Sequence, residues 1–295
     1  MKTLYFITHN TSEPITSWLH QHLMNNPSGN TLYMLTKHHS PMINRDYLKL
    51  VISGDVVGGH FYQPLRRAAL EMQFDFFYKP AVIPANGLIV FDMDSTFIEE
   101  EGVDEIARTL GISEKITALT QQAMEGKLDF DTSFTRRIAM LNGTHNAVLD
   151  DVCNRMTLSL GLDIILPILK AKGFKTAIIS GGLDLFAQRL KKRYQLDFAF
   201  SNTVEMKNGV LTGNITHPII NAENKKQTLI NLAADLNISL SNVIACGDGA
   251  NDLPMLLQAG TGLAWKAKPL VKEHIHQQIN FNGFESLLFL LEDGL

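Results

Sequence analysis

The chain has 295 residues, 45% of them hydrophobic and 19% charged, with a formal net charge of −4. That balance suits a globular protein with ample core material and excludes the basic footprint of a binder of nucleic acid or anionic membranes. Two cysteines, Cys153 and Cys246, exclude a disulfide framework, and no apolar run reaches the ~20 residues of a membrane span or forms a signal peptide, so a cytoplasmic location is expected.

The length predicts two domains, or one large domain with an insertion. Residues 1–82 read as one unit, with strands over 4–8, 31–36, 47–53 and 74–78 and helices over 12–24 and 63–72. The order β-α-β-β-α-β is that of an α+β ferredoxin-like (ACT-like) domain. Residues 80–87, Pro-Ala-Val-Ile-Pro-Ala-Asn-Gly, form a Pro/Gly linker into a second unit over 83–295.

From Leu88 onward strands and helices alternate. Leu88-Ile89-Val90-Phe91 is an apolar run suited to a strand buried on both faces of a parallel sheet. Helical periodicity over 103–110, 112–124, 134–141 and 147–155 intervenes before the next strand, so residues 99–159 are expected to form a helical cap inserted over the strand ends. Then follow a helix over 164–172, a strand over 175–179, a helix over 183–194 and a short strand over 198–200. A hairpin at 204–211 turns on Asn208-Gly209. A helix over 228–236, the strand ending at Cys246, late strands at 262–265 and 278–280, and a closing helix near 284–291 complete the chain. The fold class expected is α/β: a Rossmann-like doubly wound parallel sheet with an inserted helical cap and an N-terminal ferredoxin-like domain.

The chemistry sits where strands end. The Leu88 run stops at Asp92-Met93-Asp94-Ser95-Thr96, and the strand at 243–246 stops at Gly247-Asp248-Gly249-Ala250-Asn251-Asp252. Ligands of open parallel sheets bind at the carboxyl ends of strands, and two such clusters converge if their strands are neighbours. Oxygen-only donors favour Mg²⁺ over zinc or copper. Taken alone, Asp-x-Asp-Ser-Thr also reads as a helix cap. Ser180-Gly181-Gly182, between a strand and a helix, offers backbone N–H groups and a hydroxyl to phosphate oxygens. Lys225, ahead of the helix over 228–236, can supply positive charge.

The ordered set resembles the haloacid dehalogenase superfamily of phosphohydrolases over about residues 88–275. Within it, the wording of the two aspartate clusters is similar to the phosphoserine phosphatase family. Cap residues share that likeness: Glu101-Gly102-Val103-Asp104-Glu105-Ile106-Ala107, Met124 to Phe130, and Ser133-Phe134-Thr135-Arg136-Arg137. Departures are Leu158-Ser159-Leu160-Gly161, which lacks the usual proline, Thr216-His217-Pro218-Ile219 in place of a Gly-containing strand, and the Thr135-Arg136 pair.

The resemblance implies Mg²⁺-dependent hydrolysis of O-phospho-L-serine to L-serine and phosphate, the last step of serine biosynthesis. Asp92 would be the nucleophile forming an aspartyl-phosphate and Asp94 the general acid and base. Asp92, Asp94 (through its carbonyl) and Asp248 would hold Mg²⁺, with Asp252 in support. Ser180, Gly181 and Lys225 would bind the phosphoryl oxygens and Asn251 would assist. Glu101 would meet the substrate ammonium and Arg137 its carboxylate, with Met124 and Phe130 as an apolar wall. Two alternatives stay open: a phosphatase or phosphotransferase for another small phosphorylated amine or alcohol, and a non-catalytic amino-acid-binding regulator. The N-terminal unit could serve regulation, stability or a homodimer.

Overall fold

The alternating pattern of the N-terminal segment becomes an antiparallel sheet in the computed structural model, which describes residues 2–24, 33–41, 43–53, 61–79, 86–124 and 127–291. Strands Lys2–Thr8 (β1), Tyr33–Ser40 (β2), Arg45–Ile52 (β3) and Phe74–Lys79 (β4) lie in the order β2-β3-β1-β4. Helices Glu13–Met24 (α1) and Tyr62–Met72 (α2) make the two crossovers, as the ferredoxin-like reading expects. Successive β1 side chains point to opposite faces. Leu4 and Phe6 pack with Ile15, Leu19 and Leu65, whereas Tyr5 and Ile7 join a second core containing Phe77, Phe91 and Phe289.

The larger unit is a six-stranded, all-parallel sheet. Its strands are Leu88–Phe91 (β5), Lys175–Leu183 (β6), Phe198–Asn202 (β7), Val243–Gly247 (β10), Thr261–Trp265 (β11) and Gln277–Ile279 (β12), in the order β12-β11-β10-β5-β6-β7. The chain winds outward from β5 to β7, then returns to lay β10 on the other side of β5. The reversal between β5 and β10 is the switch point at which such sheets bind ligands. All four β5 residues are fully buried, which explains the unbroken apolar run. Val204–Lys207 (β8) and Val210–Ile215 (β9) form the expected hairpin.

Between β5 and β6 the cap helices are Gly102–Leu110 (α3), Ser113–Met124 (α4), Phe130–Ala139 (α5) and Asn146–Arg155 (α6), followed by Leu162–Ala171 (α7). The hairpin extends the cap: Gly143 N donates to Leu211 O and Asn146 N to Gly209 O, both at 2.8 Å. Asp184–Tyr194 (α8), Ala222–Asp235 (α9), Leu253–Gln258 (α10) and Pro269–His274 (α11) flank the sheet. A 3₁₀ turn, Phe284–Leu287, runs into Leu288–Leu291 (α12). Among the described residues no helix is long and apolar enough to cross a membrane.

Several element limits differ from expectation. Helix α9 begins at Ala222 rather than 228, because Asn221 accepts from Asn224 N and caps it, so Lys225 lies inside the helix rather than ahead of it. Strand β6 continues through Ser180-Gly181-Gly182, where a turn is predicted. The short α10 and α11, each with a proline in its first turn, have no counterpart in the periodicity reading. The first two residues of the 31–36 strand, residues 80–85 of the linker and the boundary at 82/83 lie outside the described residues.

Candidate active site

The chain after β5 does not enter a regular helix. Asp92 N continues the sheet by donating to Cys246 O at 2.9 Å. A single wide turn follows, closed by Phe97 N to Asp92 O at 3.2 Å and Ile98 N to Met93 O at 3.0 Å. Asp94 is extended within it and Ser95 takes φ 56°, a left-handed conformation uncommon outside glycine. Ser95 Oγ donates to Glu101 Oε1 at 2.8 Å, and Gly102 N donates to Asp94 Oδ1 at 2.8 Å. The start of the cap therefore holds the Asp94 carboxyl. The helix-cap reading of this motif fails at Asp92, whose side chain makes no capping bond.

Strand β10 brings the second cluster alongside. Lys225, 1% exposed, donates to Asp92 Oδ1 at 2.6 Å and Asp252 Oδ1 at 2.7 Å. Asp252 Oδ2 accepts from Asp248 N at 3.1 Å and Gly249 N at 3.0 Å. Asp248 approaches Thr96 Oγ1 at 3.5 Å and pairs with Lys268 Nζ at 3.3 Å. Asn251 Nδ2 lies 3.4 Å from Asp252 Oδ1. Carboxylate oxygens of Asp92, Asp248 and Asp252 all lie within 4.8 Å of one another. Three buried carboxylates with no nitrogen or sulfur donor among them fit a hard divalent cation. Asp252, with both oxygens already hydrogen-bonded, fits the supporting part rather than a leading one.

Burial and mutual repulsion dominate the electrostatics. Burial and the neighbouring Asp252 push the Asp92 carboxyl up, against the pull of Lys225. Asp94 is pushed up to about 7 by burial and by Glu101, with Gly102 N–H, Lys225 and Arg137 opposing. Asp248 rises to about 6, mainly through burial, although Lys268 works the other way. Burial disfavours the Lys225 ammonium, but Asp252 and Asp92 outweigh it and hold the group above lysine's ordinary range.

Three of the expected cap residues, Arg137, Glu101 and Phe130, stand near this centre. Arg137 is half-buried with its guanidinium over the Phe134 ring at 5.8 Å, and its buried Nε has no hydrogen-bond partner among the described residues. Arg136 is exposed, so the geometry favours Arg137 of the two. Burial pulls the Arg137 pKa down, whereas the charges of Asp104, Glu101 and Asp94 sustain it. Phe130 stacks on Phe134 at 5.8 Å and 7°, and its ring end lies 3.0 Å from where a Cβ on Gly181 would sit. Asn221 Nδ2 reaches the Asp131 carboxylate at 3.2 Å, tying α5 to the start of α9. Glu101 is exposed at the start of α3. The Met124 side chain lies outside the described residues.

Ser180 and Gly181 lie beside these groups, but not as a free helix end. Ser180 Oγ accepts from Gly182 N at 2.9 Å, and the first helical residue of α8 is Asp184. A Cβ on Gly182 would stand 2.4 Å from Asp94 Oδ2, so the loop is packed directly against that carboxyl. Only glycine permits this approach.

Residues 89–257 match the sequence profile of the haloacid dehalogenase-like hydrolases. The chain belongs to that family. It is similar to the phosphoserine phosphatase of Haemophilus influenzae, with 42% identity over 205 residues, 70% of this chain and 65% of that one. A crystal structure of a HAD family hydrolase from Salmonella enterica serovar Typhi has 63% identity and a TM-score of 0.95 over 100% of both chains. That of a probable phosphoserine phosphatase from Vibrio cholerae has 30% identity and a TM-score of 0.81, covering 98% of this chain and 86% of that one.

Against the haloacid dehalogenase-like framework, the residues that sequence reasoning missed are second partners of the carboxylates. Lys268 follows β11 by three positions, and its approach to Asp248 appears only once β10 and β11 are paired. Thr96 stands inside the first motif, yet its contact with Asp248 crosses strands. Asn202 ends β7 without any charged or glycine-rich signature.

Proposed function

We propose that this chain is a Mg²⁺-dependent phosphatase that hydrolyses O-phospho-L-serine to L-serine and phosphate, in the cytoplasm, as the last step of serine biosynthesis. The observation that carries the reading is the unequal setting of two adjacent carboxyls. Asp92 sits against the Lys225 ammonium, while Asp94 is pinned by the cap and pushed up to about 7. A carboxyl able to gain and lose a proton near neutral pH suits general acid–base work, and its neighbour suits nucleophilic attack.

In the first step an Asp92 oxygen bonds to phosphorus as the bond to the serine oxygen breaks, and Asp94 gives that oxygen its proton. In the second step Asp94 takes a proton from water, whose oxygen bonds to phosphorus while the bond to Asp92 breaks. Enzyme and both aspartates return to their starting states. Asp92, Asp248 and the Asp94 carbonyl would hold Mg²⁺, which when bound offsets the repulsion between a phosphate dianion and a carboxylate. Lys225, Ser180, Gly181 and Asn251 would bind the phosphoryl oxygens. Arg137, whose buried Nε has no partner among the described residues, and Glu101 would take the substrate carboxylate and ammonium, and Phe130 would exclude water beneath the cap.

The test is turnover of phosphoserine, phosphohomoserine, phosphoethanolamine and a sugar phosphate, each with and without Mg²⁺. Phosphoserine should lead clearly in kcat/KM, and only with the metal. A flat profile would remove the roles of Glu101 and Arg137 while leaving the phosphatase chemistry.

A further inference from the structure

Strand β6 leaves its ladder just where phosphate binding is expected. Its register with β7 shifts between Ile179 and Leu183, so residues 180–182 bulge out of regular pairing. Two carbonyls of the bulge are taken by side chains instead. Ser201 Oγ donates to Gly182 O at 2.8 Å, and Asn202 Nδ2 donates to Gly181 O at 2.8 Å. Asn202 Oδ1 then accepts from Ile220 N at 2.6 Å. Ile220 immediately precedes Asn221, the cap of the helix that carries Lys225. Asn202 is 1% exposed, and one side chain thus joins the two halves of the proposed phosphate cradle.

We propose that Asn202, supported by Ser201, is a positioning residue for phosphoryl binding. It fixes which face of the Gly181–Gly182 peptide looks into the site. With Gly181 O held by β7, the opposite edge of that peptide, Gly182 N, faces Ser180 Oγ at 2.9 Å, beside Asp94. A flipped peptide would aim carbonyl density at an incoming phosphate and repel it, whereas the observed one turns Gly182 N onto Ser180 Oγ and leaves the Ser180 hydroxyl proton to donate. Asparagine suits the task because one small buried group both donates and accepts. Aspartate keeps the bond from Ile220 N but sets an oxygen against Gly181 O, and leucine strands both backbone groups.

The inference rests on the reading of Ser180-Gly181 as phosphate-binding. Its test uses the full-length protein with Asn202→Asp, Ser201→Ala and, as the conservative control, Ser201→Thr. The readouts are inorganic phosphate affinity by calorimetry, kcat and KM on phosphoserine and on p-nitrophenyl phosphate, and the thermal midpoint. Asn202→Asp should weaken phosphate binding about tenfold or more and lower kcat/KM about 10–100-fold on both esters alike. Ser201→Ala should lose about 3–10-fold and Ser201→Thr should recover it. A variant with a lowered midpoint but wild-type phosphate affinity and kcat/KM would reduce both residues to structural roles and overturn the proposal. If Asn202→Asp does not fold, Ser201→Ala decides, and wild-type phosphate affinity there overturns it equally. A wrong substrate assignment would show separately, as a lack of phosphoserine preference in the wild-type protein.

Discussion

Asp252 holds Lys225 at 2.7 Å through one oxygen and uses the other to accept from Asp248 N and Gly249 N. One buried carboxylate thereby sets both the ammonium facing Asp92 and the loop carrying Asp248. Asp252→Ala would leave a buried lysine with a single partner and two backbone N–H groups without theirs. Breaking such a pair costs about 3–5 kcal/mol. Urea unfolding should show that loss, and kcat should fall with it. Wild-type stability in the variant would mean that solvent replaces the carboxylate freely.

Asp92→Asn should behave in the opposite way. Asp92 is pushed up by burial and by Asp252, so its ionised form is held against a local penalty. Asparagine removes one of two like charges beside Lys225 and leaves the Asp252 bond in place. Turnover should be abolished while the thermal midpoint stays level or rises, as expected where function opposes stability. Steady-state kinetics and a melting curve on one sample check both halves. An active Asp92→Asn protein would sink the nucleophile assignment.

The two glycines of the proposed phosphate loop should separate chemistry from cap closure. In Gly182→Ala the new methyl would meet Asp94 Oδ2 at 2.4 Å and Met93 Cε at 2.7 Å, so Asp94 must move. A displacement of that order costs about 10²-fold, expected in kcat. In Gly181→Ala the methyl meets the far end of Phe130 at 3.0 Å, which can lift with the cap, and Ile220 O at 3.3 Å, which a few tenths of an ångström of movement relieves. That variant should raise KM about tenfold with a smaller loss of kcat. Equal kinetic defects in the two would contradict the separation.

The acidic cluster was legible in sequence because its signals are local. A fully buried parallel strand must be apolar throughout, so the aspartates ending β5 and β10 stand out against it. Helix limits were less legible where a single side chain sets them, as Asn221 does by starting α9 ahead of its periodic segment. Partnerships that cross elements were legible only where both sides carry a motif. Lys268 with Asp248, and Asn202 with Gly181 and Ile220, join residues whose nearness depends on strand order, and neither Lys268 nor Asn202 carries a motif of its own.

Without metal, the protein should lose stability as pH rises. Asp94 at about 7 and Asp248 at about 6 both stand above the usual carboxylate value of 3.8. Asp94 faces Glu101, Lys225, Arg137 and Gly102 N–H, while Asp248 faces Lys268, Asp252 and Glu101. Because their folded values are raised, the native state binds more protons than the unfolded chain above about pH 4. The stabilisation is complete below the unfolded value and disappears as pH climbs through 6 and 7. In EDTA the thermal midpoint should fall between about pH 5 and pH 8, and Mg²⁺ should restore most at the upper end. A midpoint in EDTA that rises across this range would reverse the sign and refute the account.

Asp75 should prove a stability residue with little part in turnover. From β4 it accepts from Asn280 N at 2.8 Å, Phe281 N at 3.1 Å, and Asn282 N and Nδ2 at 2.8 Å each. Asn282 also reaches Ile7 O at 3.2 Å and accepts from Arg45 at 2.6 Å, so the loop after β12 is tied to three strands of the N-terminal sheet. Asp75→Ala would leave the buried Asn282 N and the half-buried Asn280 N and Phe281 N without this acceptor, a loss of about 3–5 kcal/mol. Asp75→Asn keeps an acceptor and should lose less. Strand β12 is the outermost of its sheet, with β11 and β10 between it and β5, so kcat/KM of the folded fraction should remain near wild type. Urea unfolding alongside kinetics at low temperature distinguishes the cases. An activity loss larger than the loss of folded protein would instead give the N-terminal sheet a direct hold on the reaction centre.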